Sequence, residues 1–244
     1  MRAGAGYVTA CIPASLQGIF AAGGTPEIMT RGMPDEGGAL TLDGVSEVLD
    51  ASSRGGALAL GPGLGRSPGS FEVARALAAR AEVARVLDAD GLNAHAGRLG
   101  DLTTRTAPTV LTPHAGELGR MLGCPSDEID HARLHTARLA AKHTHAVVVL
   151  KGDDTLVVDC DGNVAVGKGG SPALATAGTG DVLTGVIAAL LAAGLDAFTA
   201  AATGVWLHAA AGVQAASRQG SAEGVIATDV IAALPAVRVA QGVD

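Results

Sequence analysis

The sequence predicts an α/β fold in which a mostly parallel sheet is flanked by helices and carries one antiparallel hairpin. Short apolar runs alternate with helix-patterned stretches along most of the chain, the order expected of parallel strands and their covering helices. The run AVVVL (residues 146–150) is apolar at every position, as an interior strand covered on both faces requires. The stretch TLVVDCDGNVAVG (residues 155–167) sets two β-prone runs around Asp161 and Gly162, a hairpin signal.

In chain order, residues 7–12 (YVTACI), 57–61 (ALALG), 84–88 (ARVLD), 109–112 (TVLT) and 146–151 (AVVVLK) read as buried strands. Helical spacing marks residues 70–81 (SFEVARALAARA) and 128–143 (EIDHARLHTARLAAKH). Beyond the hairpin the chain is expected to be almost wholly helical, over residues 181–193, 197–218 and 228–239. No linker, repeat or composition break interrupts it, so residues 1–244 read as one domain.

Composition removes several function classes. The net charge is −7 with no basic cluster, and aromatic residues are 2% of the chain, so neither duplex nor single-stranded nucleic acid is an expected partner. Cys11, Cys124 and Cys160 are far apart and form no CxxC pair, which argues against a disulfide frame or zinc ribbon and fits a reducing cytoplasm. The N-terminal apolar run is too short and leucine-poor to read as a secretory signal. The most apolar segment lies between Asp181 and Asp196, shorter than the roughly 20 residues that span a bilayer. No membrane partner is expected.

In open α/β sheets ligands gather at the carboxyl ends of the strands. Five polar or glycine-rich pieces fall there: GPGLG (61–65), DADGLN (88–93), TPHAGE (112–117), KGDDT (151–155) and AGTGD (177–181). GPGLG is no dinucleotide fingerprint, because Arg66 stands where GxGxxG needs glycine. It is either a turn that lets backbone amides approach a ligand or a plain strand-to-helix turn. GNVAVGKG (162–169) matches GxxxxGK, but Gly169 replaces the hydroxyl residue and no helix follows, so it is not a phosphate loop.

His114 and Glu117 have a plain reading as a helix start, and a sharper one with His114 on a substrate and Glu117 reaching a metal-bound phosphate, directly or through water. His131, His135, His143 and His145 read as surface residues. Asp88 and Asp90 either orient a ligand or, for Asp90, cap the next helix. Lys151 can neutralise phosphate and Thr155 can offer a hydroxyl, or the loop is a solvated turn.

The last motif carries more. Unpaired N–H groups at a helix N-terminus attract anions, and Gly178, Thr179 and Gly180 allow close approach. Asp181 beside bound phosphate makes sense as a base that takes a proton from an attacking hydroxyl, its basicity raised by the nearby anion. The plain alternative is a helix cap.

GPGLG, DADGLN, LTPHAGE, LKGDDT and SPALATAGTGDVLTG occur in the order and spacing of the ADP- or ATP-dependent NAD(P)H-hydrate dehydratases, and the chain resembles that family of the ribokinase-like superfamily along nearly its whole length. The resemblance implies a three-layer ribokinase-like fold and repair of hydrated NADH or NADPH with ADP or ATP and Mg2+. It implies Asp181 as catalytic base on the substrate hydroxyl and Gly178, Thr179 and Gly180 as anion hole. Lys151, Gly152, Asp153, Asp154, Thr155 and Gly180 would bind nucleotide, Gly63 and His114 would contact the hydrate, and Glu117 would reach the metal. A homotetramer and an NAD(P)H-hydrate epimerase, fused or separate, are further implied partners. The family usually places a glycine-rich strand and helix before the part matching RAGAGYVTACIP, so the domain reads as N-terminally incomplete. Gly169 stands where a threonine is common. Two other functions fit the same residues: a kinase acting on a vitamin precursor or sugar alcohol, and a nucleotide-binding subunit without catalysis.

Overall fold

The computed structural model describes residues 1–168 and 171–240, so the departure at Gly169 lies outside the described residues. The strands are β1 (Thr9–Pro13), β2 (Met29–Met33), β3 (Asp35–Glu36), β4 (Ala39–Leu40), β5 (Ala57–Leu60), β6 (Ala84–Leu87), β7 (Thr109–Leu111), β8 (Val147–Leu150), β9 (Thr155–Val158) and β10 (Val164–Gly167). The helices are α1 (Gln17–Gly23), α2 (Val45–Ser52), α3 (Pro68–Arg80), α4 (Asp90–Asn93), α5 (Ala115–Leu122), α6 (Ser126–His131), α7 (Arg133–Thr144), α8 (Thr179–Ala192), α9 (Ala197–Gln219) and α10 (Ala227–Ala240).

The main sheet has six strands in the order β10-β9-β8-β7-β6-β5. β5 to β8 run parallel, and β9 and β10 add the antiparallel hairpin. Strand periodicity sorts the side chains onto two faces. Val86, Val110, Val147, Val149 and Val157 pack with α8, α9 and α10. Leu87, Leu111, Val148, Leu150, Leu156 and Val158 pack with α3, α5 and α7 on the other side. Helix, sheet and helix layers follow directly, and each fully buried Val or Leu contributes about 1.5–3 kcal/mol. The hairpin turn is organised by Asp159, whose carboxylate accepts from the backbone N–H of Asp161 and Asn163.

Two expectations are corrected. Residues 7–12 were expected as a buried strand. The strand is β1, it is half-buried rather than buried, and among the described residues it pairs with β2 in a separate two-stranded parallel sheet. Its side chains are mostly small, and the following α1 buries no residue, so there is little apolar area to draw it under a helix layer. The helix expected over residues 128–143 is two helices, because Ala132 leaves helical geometry at φ −133° and ψ 39°. That break lets α6 stay against α5 while α7 turns onto β8.

Candidate active site

Four of the five predicted pieces sit at the carboxyl ends of β5 to β8, and the fifth, residues 177–181, leads into the N-terminus of α8 instead of following one of those strands. Gly61 follows β5 with φ +131°, and a Cβ there would run into the backbone carbonyl of Asp88. Glycine is what allows these two loops to touch. Gly63 is exposed at φ +71° with nothing near its Cβ direction, so its backbone is open to a ligand. Asp90 fixes this loop: its carboxylate accepts from the Gly65 N–H at 3.2 Å, from Arg66 Nε at 2.8 Å and from Asn93 Nδ2 at 3.1 Å.

Asp88 is 1% exposed and lies at the centre of the arrangement. Lys151 Nζ donates to one carboxylate oxygen at 2.8 Å, and Thr184 Oγ1 donates to the other at 2.7 Å. The next residue, Ala89, is held at φ +46°, a conformation that residues other than Gly rarely adopt. Lys151 Nζ also lies 3.8 Å from Glu117 Oε2, and a Cβ on Gly180 would stand 3.6 Å from it. One ammonium therefore joins the β6, β7 and β8 loops to the start of α8.

His114 is the N-cap of α5. Its Nδ1 accepts from the N–H of Gly116 at 3.0 Å and Glu117 at 3.4 Å, while the Glu117 carboxylate accepts from the His114 N–H at 3.0 Å. The plain reading of this pair is thus present in full, and the exposed outer edge of His114 still faces solvent. Glu117 is buried and engaged by His114 and Lys151, so a Mg2+ would reach it through water rather than directly. Mg2+ accepts such a site, with one or two carboxylates, substrate phosphates and retained waters. Among the described residues no group of three or more His, Cys, Asp and Glu forms a metal cage.

The N-cap of α8 is Gly178 at φ +88°, and among the described residues no side chain caps it. Thr179 is turned inward, donating through Oγ1 to the carbonyls of Leu174 and Thr176. Asp181 sits in the first turn, solvent-accessible, and is not the cap that the plain alternative required. Surrounding protein raises its carboxyl above the ordinary value, and the neighbouring Asp88 charge adds to this while Lys151 opposes it.

The loop 151–155 borders a cavity of about 570 Å³ lined by Lys151, Gly152, Asp153, Asp154, Arg133 and Leu156 among others. Asp181 is not among its walls; Lys151 connects the two.

Sequence reasoning missed three participants. Thr184 follows Asp181 by three residues and so shares its helix face, a spacing that was available. Arg133 braces the 151–155 loop from α7. His208 is 7% exposed on α9, with Gly204 and Gly212 four residues to either side. Those glycines press that face onto Ile187 and Leu174, beneath the turn that leads into α8. Burial lowers the His208 pKa to about 4 against the pull of the Thr179 backbone, with Lys151 lowering it further, and among the described residues its Nε2 has no partner. His131, His135, His143 and His145 are exposed, as expected.

A family model described as NAD(P)H-hydrate dehydratase matches residues 1–236. The chain belongs to that family. It is 43% identical over 163 residues to the bifunctional NAD(P)H-hydrate repair enzyme Nnr of Moorella thermoacetica, covering 66% of this chain and 31% of the relative. The Nnr of Salinibacter ruber is 40% identical over 167 residues, covering 66% and 30%. The chain thus spans about a third of the length of these curated relatives. Among solved structures, it is similar to the ADP/ATP-dependent NAD(P)H-hydrate dehydratase of Bacillus subtilis co-crystallized with ATP/Mg2+, with a TM-score of 0.80 and 30% identity over 98% of this chain and 81% of that one. Hydroxyethylthiazole kinase of Pyrococcus horikoshii, at 14% identity and a TM-score of 0.67, shares the fold alone. A ribokinase-like superfamily protein of Enterococcus faecalis, at 24% identity and a TM-score of 0.74, likewise shares the fold, so the three-layer architecture is ribokinase-like. Among the described residues no helix is long and apolar enough to cross a membrane.

Proposed function

We propose that this chain restores NADH and NADPH from their hydrates at the expense of ADP or ATP. Asp181 takes the proton from the hydroxyl on the hydrated nicotinamide ring. The freed oxygen bonds to the terminal phosphorus of the nucleotide, and the bond from that phosphorus to the departing nucleotide breaks. The ring nitrogen then donates its electron pair, the carbon–oxygen bond to the new phosphate breaks, and the adjacent ring carbon gives up a proton. The observation that carries this reading is the start of α8, which among the described residues no side chain caps, with a carboxyl of raised pKa in its first turn. Amides aimed at a transferring phosphoryl group stabilise it without reorganising.

In this reading the N–H groups of Gly178 and Gly180 hold the phosphoryl group; that of Thr179, the third expected donor, is directed to the Thr176 carbonyl at 3.3 Å and contributes less. Lys151, Gly152, Asp153, Asp154, Thr155 and Gly180 take the nucleotide, and Gly63 and His114 contact the hydrate. Mg2+ held through water by Glu117 would neutralise charge on the nucleotide phosphates. Residues 1–244 act as one domain, a homotetramer is the expected assembly and the cytoplasm the expected site. An NAD(P)H-hydrate epimerase, fused or separate, is the expected partner.

The test supplies enzymatically prepared hydrate with ADP or ATP and follows the return of reduced-nicotinamide absorbance. Nucleotide-dependent recovery is expected. An inert hydrate, with a stable phosphorylated product from a vitamin precursor or sugar alcohol, would overturn the reading.

A further inference from the structure

We infer that Arg133, which lies outside the residues expected to touch the nucleotide, is the positioning residue of the nucleotide loop; this rests on the nucleotide-dependent reading above. Arg133 opens α7, just past the break at Ala132. Its Nη2 fans across three carbonyl oxygens, donating to Leu150 at 3.1 Å, Lys151 at 3.3 Å and Asp154 at 3.2 Å. Its Nη1 lies 3.4 Å from Asp130, and the same side chain forms part of the wall of the 570 Å³ cavity. A single guanidinium thus gathers the carbonyls of a loop that is meant to receive phosphates.

The consequence follows from peptide geometry. In a trans peptide the C=O and N–H point in opposite directions, so drawing the Lys151 carbonyl toward Arg133 turns the Gly152 N–H away from it. Carbonyl oxygens left facing the cavity would repel phosphate, whereas N–H groups attract it. Gly152 is part of the same device. A Cβ there would stand 2.5 Å from Arg133 Nη2, so a larger residue would push the guanidinium off these carbonyls. The break at Ala132 has a purpose in this account, since it aims the first residue of α7 at the end of β8.

Calorimetry with ADP alone, followed by steady-state kinetics, tests this on the full chain. Arg133→Met is expected to raise the Kd and the KM for nucleotide about tenfold or more, the effect of losing hydrogen bonds from a charged group, while the KM for hydrate stays within about twofold. Arg133→Lys should recover part of the loss, because an ammonium reaches fewer of the three carbonyls. Gly152→Ala should reproduce it with the arginine still present. Arg138→Met, on the exposed side of α7, should bind ADP like the wild type. Equal ADP affinity in wild type and Arg133→Met would overturn the inference, as would an equal rise in both KM values. If Arg133→Met does not fold, Arg133→Lys and Gly152→Ala decide it. Failure of wild-type turnover overturns the proposed function instead, and the ADP titration still decides Arg133.

Discussion

Lys151 places its ammonium 2.8 Å from the buried carboxylate of Asp88, and the charges of both bear on Asp181. The two charges have opposite effects on its carboxyl. Asp88 pushes its pKa up and Lys151 pulls it down, so the pair acts on the Asp181 carboxyl as well as holding the loops together.

Breaking that pair should be costly. Lys151→Met leaves Asp88 buried with Thr184 as its remaining side-chain donor, and an uncompensated buried charge costs about 3–5 kcal/mol. The urea midpoint should fall accordingly at neutral pH. An unchanged midpoint would show that Asp88 is not held by Lys151 in solution.

Gly61→Ala should destabilise the same region from the other side. The new Cβ meets the Asp88 carbonyl and the backbone is held at φ +131°, so a loss of about 2 kcal/mol or more is expected in chemical denaturation. Gly63→Ala lacks the clash and should cost less, through its positive φ alone.

Much of the fold was legible because the interior strands are apolar on both faces and the hairpin is marked by Asp161 and Gly162. Residues 13–52 were not, since β2 interleaves Thr, Arg and Gly with its two Met, β3 and β4 are two residues each, and α1 buries nothing. The Gly37–Gly38 pair, both at positive φ, was the available signal for the β3–β4 hairpin. The break at Ala132 left no trace, because apolar spacing continues through it. In the site, Asp181 and its glycines were legible as a contiguous motif. The partners of Asp88 lie 63 and 96 residues away, and no local pattern announces such pairings.

Acid should weaken the fold through His208. Its folded pKa of about 4 lies below the ordinary 6.5, so the unfolded chain binds the proton first as pH falls. The contribution is present above pH 6.5 and lost between 6.5 and about 4, at most about 3 kcal/mol. His208→Gln should flatten the stability profile in that window, measured by denaturant titration at a series of pH values. A slope identical to wild type would contradict a neutral buried imidazole.

Asp181 has the opposite sign. A carboxyl with a raised folded pKa holds its proton longer in the folded chain, so its contribution to stability falls as pH rises from the ordinary value through the raised one. Asp181→Asn removes a charge that Asp88 repels and caps no helix. Its Tm at pH 7 should equal or exceed that of wild type, and a clear drop would mean that Asp181 has a structural task.

Single-turnover recovery of reduced nicotinamide from its hydrate, with saturating ADP or ATP, compares wild type and Asp181→Asn most directly. The account predicts a rate about 10²–10⁴-fold lower in the variant with nucleotide affinity unchanged, the usual contribution of a general base. Equal rates in the two proteins would contradict it.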